Sequence, residues 1–344
     1  MTTMTSHLTR TLQALRLPLF CVLLWLMSAG SAQASINCTA SMTGVAFGTV
    51  DLVAGTAAPA NATLTYSCTK TGNNNTTEYA RVCFNIGDGN EGLTNFNPRV
   101  MKNGAGDSLR FQLYQGTSNT IWGSNGNAAV PNPFTINISI PARSSNNTIS
   151  GSATMRGELL ANQGTAPPGT YQDNFAGIHT SITLTSSTAG APTTCGTTLA
   201  DQFAFIVSAT VSKSCIVTAD PLNFGSVAGL PGGANIDQLS TIYVTCTTPT
   251  SYTVGLTPSN NVANGAGAMT PTGGVPGNTD TVPYQLYRNS GRTNAWGNIA
   301  GTNTIGGTGN GQVQPLPLYG RVLGASTNVR PDSYMDVVTV SVTY

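Results

Sequence analysis

Few side chains in this sequence are suited to covalent, metal or acid–base chemistry. Seven cysteines occur. Cys21 stands in an apolar N-terminal run, and Cys38, Cys68, Cys83, Cys195, Cys215 and Cys246 follow it. Zinc sites use C-x-x-C pairs or histidines three to five residues apart. Neither spacing exists, and beyond His7 the only histidine is His179. An even set of cysteines in an exported chain reads instead as disulfides. His179 stands among Ile178 and Ile182 on an expected strand, and a single base supports no serine–histidine–acid constellation. Asp88-Gly89-Asn90-Glu91 lacks the register of a calcium loop and reads as a polar turn. Gly306-Gly307-Thr308-Gly309 lacks the lysine and helix of a phosphate loop and reads as a flexible turn. A glycosidase needs two acids in one cleft, and acids are scarce. The expectation is a protein that is not an enzyme and carries no cofactor and no metal.

The elements that position these residues begin with a leader. Arg10 and Arg16 precede an apolar run over residues 17–27, and Ala32-Gln33-Ala34 fits the cleavage pattern of a secretory signal peptide. Residues 1–34 are therefore expected to be removed, leaving Ser35 first and six cysteines for three disulfides. Without Arg10 and Arg16 the chain holds 12 of its 14 basic residues against 13 acidic ones. Only 8% of the whole chain is charged, far below the usual share of about a quarter. A near-neutral chain carries no electrostatic footprint for nucleic acid. Its surface must be built from Thr, Ser, Asn and Gly, which suits an extracellular fibre or coat.

The remaining chain repeats once. Cys38 is followed nine residues on by Phe47-Gly48-Thr49-Val50, and Cys215 nine residues on by Phe224-Gly225-Ser226-Val227. Cys68 and Cys246 come next. Leu113-Tyr114 and Trp122-Gly123 match Leu286-Tyr287 and Trp296-Gly297. Pro168-x-x-Tyr171-x-Asp173 matches Pro331-x-x-Tyr334-x-Asp336. One shared order of landmarks marks two copies of one domain. The repeat pairs Cys38 with Cys68 and Cys215 with Cys246, which leaves Cys83 with Cys195. Segments 62–66, 134–140 and 338–344 alternate apolar with polar residues, and Gly/Asn/Ser/Pro clusters separate such runs. The expected fold is all-β, with two immunoglobulin-like Greek-key β-sandwiches in tandem. The expected boundaries are 35–211 and 212–344.

The copies end differently. After Tyr171-x-Asp173 come a strand, the Cys195 loop and a second strand over residues 203–211. After Tyr334-x-Asp336 comes one strand, and the sequence ends at Tyr344. The second sandwich is expected to lack its final strand, and Phe203, Phe205, Val207, Ala209 and Val211 to complete the first from within. A sandwich short of a strand exposes a groove and edges that invite a strand from another chain. Phe224, Val338, Val340, Val342 and Tyr344 are the expected acceptor residues. Cys38 follows Ser35 by three residues, so no donor segment is expected ahead of the first domain. Such a subunit accepts a strand and gives none.

These landmarks together resemble the spore coat protein U domain, found in subunits of archaic chaperone–usher pili. Two such domains in one exported chain resemble the Csu-type tip adhesins. The resemblance implies a periplasmic pilus chaperone, an outer-membrane usher and an adjacent pilin as partners. It also implies an extracellular place at the pilus tip and attachment to abiotic or host surfaces, with biofilm formation. A structural coat protein of the same domain family is the alternative. Pilins of this kind carry an aromatic residue next to last, whereas here Tyr344 is last. Adhesion is expected through apolar loop residues of the first domain: Leu93, Phe96, Val100 and Met101; Val130 and Phe134; and Ala166, Pro167 and Pro168. The loop over residues 189–192 is a further candidate. Trp122 is set apart from these, because its counterpart Trp296 marks it as core.

Overall fold

The computed structural model describes residues 35–344 except 56, 73–74, 93, 144–146, 228–232 and 327. The expected leader with Cys21, and the candidate Leu93, lie outside the described residues. The first copy forms β1 (Ser35–Met42), β2 (Val45–Val50), β3 (Ala58–Thr71), β4 (Glu78–Ile86), β5 (Arg99–Lys102) and β6 (Ser108–Gln115). It continues with β7 (Phe134–Ile140), β8 (Thr148–Leu159), β9 (Gly169–Phe175), β10 (Thr180–Ser187), β11 (Leu199–Asp201) and β12 (Phe205–Val211). The second forms β13 (Cys215–Ala219), β14 (Ile236–Cys246), β15 (Ser251–Thr257), β16 (Ala266–Pro271) and β17 (Val282–Tyr287). Then follow β18 (Ile305–Thr308), β19 (Gln314–Val322), β20 (Tyr334–Met335) and β21 (Thr339–Thr343).

Each copy is a sandwich of one large and one small sheet. The first stacks the order β1-β3-β8-β6-β5-β9-β12-β2 on β11-β10-β4-β7. The second stacks β13-β14-β19-β17-β16-β20 on β18-β15-β21. Alternation of residue type becomes alternation of burial: Phe205, Val207, Ala209 and Val211 are buried, while Ile206 and Thr210 are exposed. Two separate apolar clusters result, one between Ile36 and Val211, the other between Cys215 and Val342.

The repeated landmarks are pieces of shared geometry. Cys38 faces Cys68 across β1 and β3, and Cys215 faces Cys246 across β13 and β14, so each disulfide joins neighbouring strands. Cys83–Cys195 ties the connection over residues 188–198 back to β4. Gly48 and Gly225 have φ of 69° and 79°, a left-handed backbone that glycine adopts without steric cost. The ring of Phe47 then lies over Gly157, and that of Phe224 over Gly320, where a Cβ would collide. Trp122 and Trp296 are fully buried and donate Nε1–H to the carbonyls of Phe84 (2.8 Å) and Val254 (3.0 Å). Tyr171 and Tyr334 each donate their hydroxyl, at 2.7 Å, to the carbonyl four residues upstream, in Pro167 and Arg330. That contact is the tyrosine corner of immunoglobulin-like sandwiches.

The register also sets the poles of the first domain. Val211 pairs with both Gly169 and Val50, so the chain leaves for the second domain beside the start of β9. At the other pole Ser35 pairs with Thr71, Ile140 with Glu78 and Ser187 with Tyr79. The described residues of the connections 72–77 and 141–147, and the connection 188–198, therefore sit far from the linker. The described residues of 87–98, with residues 116–133 and 176–179, lie at mid-height, where the chain passes between sheets.

Two local expectations need correction. Ile178 and His179 do not lie on a strand: Gly177–His179 is a single 3-10 turn, and β10 starts at Thr180. Gly306-Gly307-Thr308 is not a flexible turn but part of β18, paired with β15. Its glycines make room for the ring of Tyr252, which a Cβ on Gly307 would strike.

Candidate strand-acceptor groove

In the first domain β12 fills a slot between two strands. It runs antiparallel to β9, from Phe205↔Phe175 to Val211↔Gly169, and parallel to β2, from Val207↔Val45 to Val211↔Val50. Its inward side chains seal the core. The rings of Phe205 and Phe175 stack at 4.6 Å between centroids, and Phe203 stacks on Trp122 at 5.9 Å. Phe203 precedes β12 and is itself buried. Tyr171, Asp173 and Phe175 on the neighbouring strand are buried beneath it.

Among the described residues, the second domain has the walls of this slot without the strand. The β9 counterpart, β20, pairs over only two residues. Residues 222–227, matching β2, form no strand. The physical reason is shared: both segments would pair with the same absent neighbour, and a backbone without a partner does not hold strand geometry. The inward residues Tyr334, Asp336 and Val338 are only half-buried. Met335 and Val337 are 58% and 69% exposed. In the small sheet β21 pairs with β15, but among the described residues it has no outer neighbour like the β11 that flanks β10.

The expected acceptor residues are distributed along this opening. Phe224 packs from one wall, its ring 6.5 Å from that of Tyr284. Val338 lies beside the opposite wall, and Val340 and Val342 line β21; all are partly buried against the second core. Tyr344 does not join them. It is 54% exposed, beyond the end of β21, and is no part of the groove floor. Sequence reasoning missed the polar pair beside Val338. Tyr284 donates its hydroxyl to Asp336 Oδ2 at 2.6 Å. Burial raises the Tyr284 pKa, and the bond to Asp336 and its charge raise it further.

The apolar loop candidates are scattered. Met101 is fully buried on β5, and Val130 and Ala166 are buried too, so none of the three can touch a surface. Phe134 packs against the core 5.8 Å from Phe84. Phe96 and Val100 are half-buried at mid-height. Ala166, Pro167 and Pro168 precede Gly169 and so lie at the linker pole, where the Pro167 carbonyl serves the tyrosine corner. Residues 189–192 do lie at the far pole. Among the described residues of the first domain, the exposed large apolar side chains are Ile178 (93%), Leu199 (55%) and Ile206 (49%). Their only signal in sequence is that they fall in or beside the stretch special to the first copy.

A buried polar cluster was equally invisible in sequence. Arg99 donates to the carbonyls of Gly87 (2.8 Å) and Trp122 (2.7 Å) and to Gln112 Oε1 (2.6 Å). Burial pushes its pKa down to about 9, against the pull of Asp88 and Asp173. Asp173 accepts the Glu91 N–H at 3.0 Å, and burial pushes its pKa up to about 7. His179 Nδ1 lies 3.0 Å from Asp88 Oδ1.

A profile of the Spore Coat Protein U domain matches residues 25–177 and 201–341. No curated protein matches. Among solved structures, a chain of the CsuC–CsuE chaperone–tip subunit complex from Acinetobacter baumannii is 16% identical, with a TM-score of 0.50. The alignment covers 89% of this chain and all of that one. The CupB6 tip adhesin of Pseudomonas aeruginosa is 11% identical over 91% of this chain and 96% of its own, with a TM-score of 0.36. The chain belongs to the spore coat protein U domain family, with one matched stretch for each copy.

Proposed function

We propose that this chain is the tip adhesin of a chaperone–usher pilus. Its second domain accepts a strand from the adjacent pilin, and its first domain attaches the cell to surfaces and promotes biofilm formation. The observation that carries this reading is the unequal slot: β12 fills it in the first domain, and the described residues supply no strand to it in the second. Strand addition supplies main-chain hydrogen bonds at both walls and apolar side chains for the groove between them. Until the pilin arrives, a periplasmic chaperone covers the groove, and an outer-membrane usher then orders assembly. Residues 35–42 are committed to the first domain from Ser35 onward, as β1 paired with β3. A groove filled in cis on one domain and open on the other suits a subunit with one neighbour. Residues 1–34 act as the export signal, and the mature protein works outside the cell.

Adhesion falls to Ile178, Leu199 and Ile206, together with the far-pole connection over residues 188–198. A large apolar side chain buried against an abiotic surface contributes about 1.5–3 kcal/mol. Many pili multiply such weak contacts. Immunogold labelling of piliated cells tests the placement, and attachment to polystyrene tests the role. Gold at filament ends, with attachment lost when Ile178, Leu199 and Ile206 all become Ser, is the expected result. Gold along the shafts or spread over a cell coat contradicts the tip assignment. Undiminished attachment by the triple variant contradicts the adhesive face.

A further inference from the structure

Apart from β12 and the strand before it, two of the stretches that are longer in the first domain than in the second meet at one cleft. The β4–β5 connection has twelve residues, 87–98, against eight, 258–265, between β15 and β16. The step from the tyrosine corner to the next strand is longer too. Ile182 faces Phe84, and Val342 faces Val254, each across from the carbonyl that receives the tryptophan N–H. Tyr171 to Ile182 takes eleven residues and Tyr334 to Val342 eight; the difference is accommodated by the Gly177–His179 turn.

The two additions are bound to each other. The Gly87 N–H donates to the His179 carbonyl at 2.8 Å, the Asn90 N–H to the Asn174 carbonyl at 3.1 Å, and His179 Nδ1 meets Asp88. Between them and residues 124–127 opens a cleft of about 250 Å³, walled by Phe96, Ile178, His179, Asp88, Ser124 and Asn127 among others. Its third wall is anchored by Asn85, a buried amide. Asn85 donates to the Cys83 carbonyl (3.2 Å), the Ser181 carbonyl (3.3 Å) and Thr183 Oγ1 (3.2 Å), and accepts the Asn125 N–H (3.0 Å). The cleft is thus formed before any ligand arrives, as small-molecule sites usually are.

Its chemistry is specific. No lysine or arginine lines it, so a phosphate or sulfate finds no counter-charge. The acid is already committed: Asp88 accepts the Thr94 N–H at 2.6 Å as well as the histidine. Asp88 holds the Nδ1 side of the His179 ring, and Nε2 has no partner among the described residues. One aromatic ring, two isoleucines and a rim of hydroxyl, amide and imidazole groups remain. Together they suit a small ring with an apolar C–H face and hydroxyls at its edge. The volume holds about one such ring, at the lower end of small-molecule sites.

We propose that this cleft binds one neutral pyranose residue, with its C–H face against Phe96 and its hydroxyls toward His179, Ser124 and Asn127. Ile178 and His179 fall in residues 178–200, outside both stretches matched by the family profile. The other walls, Asp88, Phe96, Ser124 and Asn127, lie within the first matched stretch, and the site operates whether or not the protein is carried on a pilus.

Saturation-transfer NMR on the full exported chain tests the proposal. The probes are the methyl pyranosides of glucose, galactose, mannose, N-acetylglucosamine and N-acetylgalactosamine at millimolar concentration. At least one is expected to receive saturation, strongest on the ring protons of one face. Phe96→Ala and His179→Ala are each expected to weaken its binding about tenfold, a loss of about 1.4 kcal/mol. Ile178→Ser, at an almost wholly exposed side chain, should weaken binding without changing the melting temperature, even if the other two variants disturb the fold. Absence of transfer to all five probes overturns the proposal, as does binding that persists unchanged in Ile178→Ser and His179→Ala.

Discussion

The same slot occurs twice in this molecule, and the two versions differ in one strand. Where β12 is present, β9 runs seven residues, β2 exists, and Tyr171, Asp173 and Phe175 are buried. Where no counterpart is supplied, β20 shrinks to two residues, residues 222–227 are irregular, and Tyr334, Asp336 and Val338 stay half-open. Landmarks outside the slot, the tryptophan and the cystine, keep their geometry in both. One strand therefore orders its two neighbours and seals the core, while the rest of the sandwich stands without it. Among the described residues the difference is confined to the slot and the two segments beside it.

The largest effect should come from weakening the strand that is present. Phe205→Ala removes a ring stacked on Phe175, and Phe203→Ala one stacked on Trp122. Each should cost the first domain about 3–5 kcal/mol, read as a fall in its urea midpoint by the fluorescence of Trp122. Met335→Thr and Val337→Thr, at exposed positions on the open wall of the second domain, should change stability by only about 0.5 kcal/mol. Equal losses at the two sites would erase the distinction between filled and open slots.

A second contrast is in pH. Burial pushes Asp173 up to about 7 from the ordinary 3.8. Asp88 and Glu91 raise it further, while the backbone N–H groups of Glu91 and Asn174 lower it. Between these values the folded domain holds a proton that the unfolded chain has released. Stability of the first domain should therefore fall as pH rises through about 4 to 7 and level off above. Asp173→Asn should flatten that slope. Urea midpoints taken across the window for both proteins check it, and an unchanged slope in the variant would place the titration elsewhere.

The smallest difference should be at the tyrosine corners. Tyr171→Phe breaks a hydroxyl bond on a buried ring and should cost about 1–1.5 kcal/mol. Tyr334→Phe breaks the same bond on a half-exposed ring and should cost less than half of that. A donor strand over the second groove should bring the two costs together, since it buries Tyr334 as β12 buries Tyr171.

Much of this was legible in sequence because the repeated residues answer to backbone geometry. A cross-strand cystine, a glycine with positive φ, an indole N–H to a carbonyl and a tyrosine corner each need one residue type at one place, so two copies show the same marks. The alternation in residues 203–211 likewise fixes which side chains face a core. What resisted were features set by sheet crossing. Met101, Val130 and Ala166 look like loop residues in sequence, but Met101 lies on β5 and all three side chains are buried. Pro167 lies at the linker pole because β9 starts beside the end of β12. Arg99 meets the carbonyl of Trp122 and is drawn to Asp173 only after both sheets assemble, and nothing near it in the chain announces either contact. Ile178 reads as a strand residue in sequence, yet three residues of extra chain turn it outward.

The most direct test of the account is hydrogen exchange on the full exported chain, with and without a synthetic peptide of the sequence of residues 203–211. The first slot is filled in cis by β12, so the peptide is expected at the second. Without it, amides of β9 should exchange slowly and those of residues 222–227 and 334–338 fast. With it, those two segments should become protected together, while β2 and β9 remain unchanged. If residues 222–227 and 334–338 are already as protected as β2 and β9 in the free chain, or gain nothing at saturating peptide, the second domain has no open strand site and the central claim is wrong.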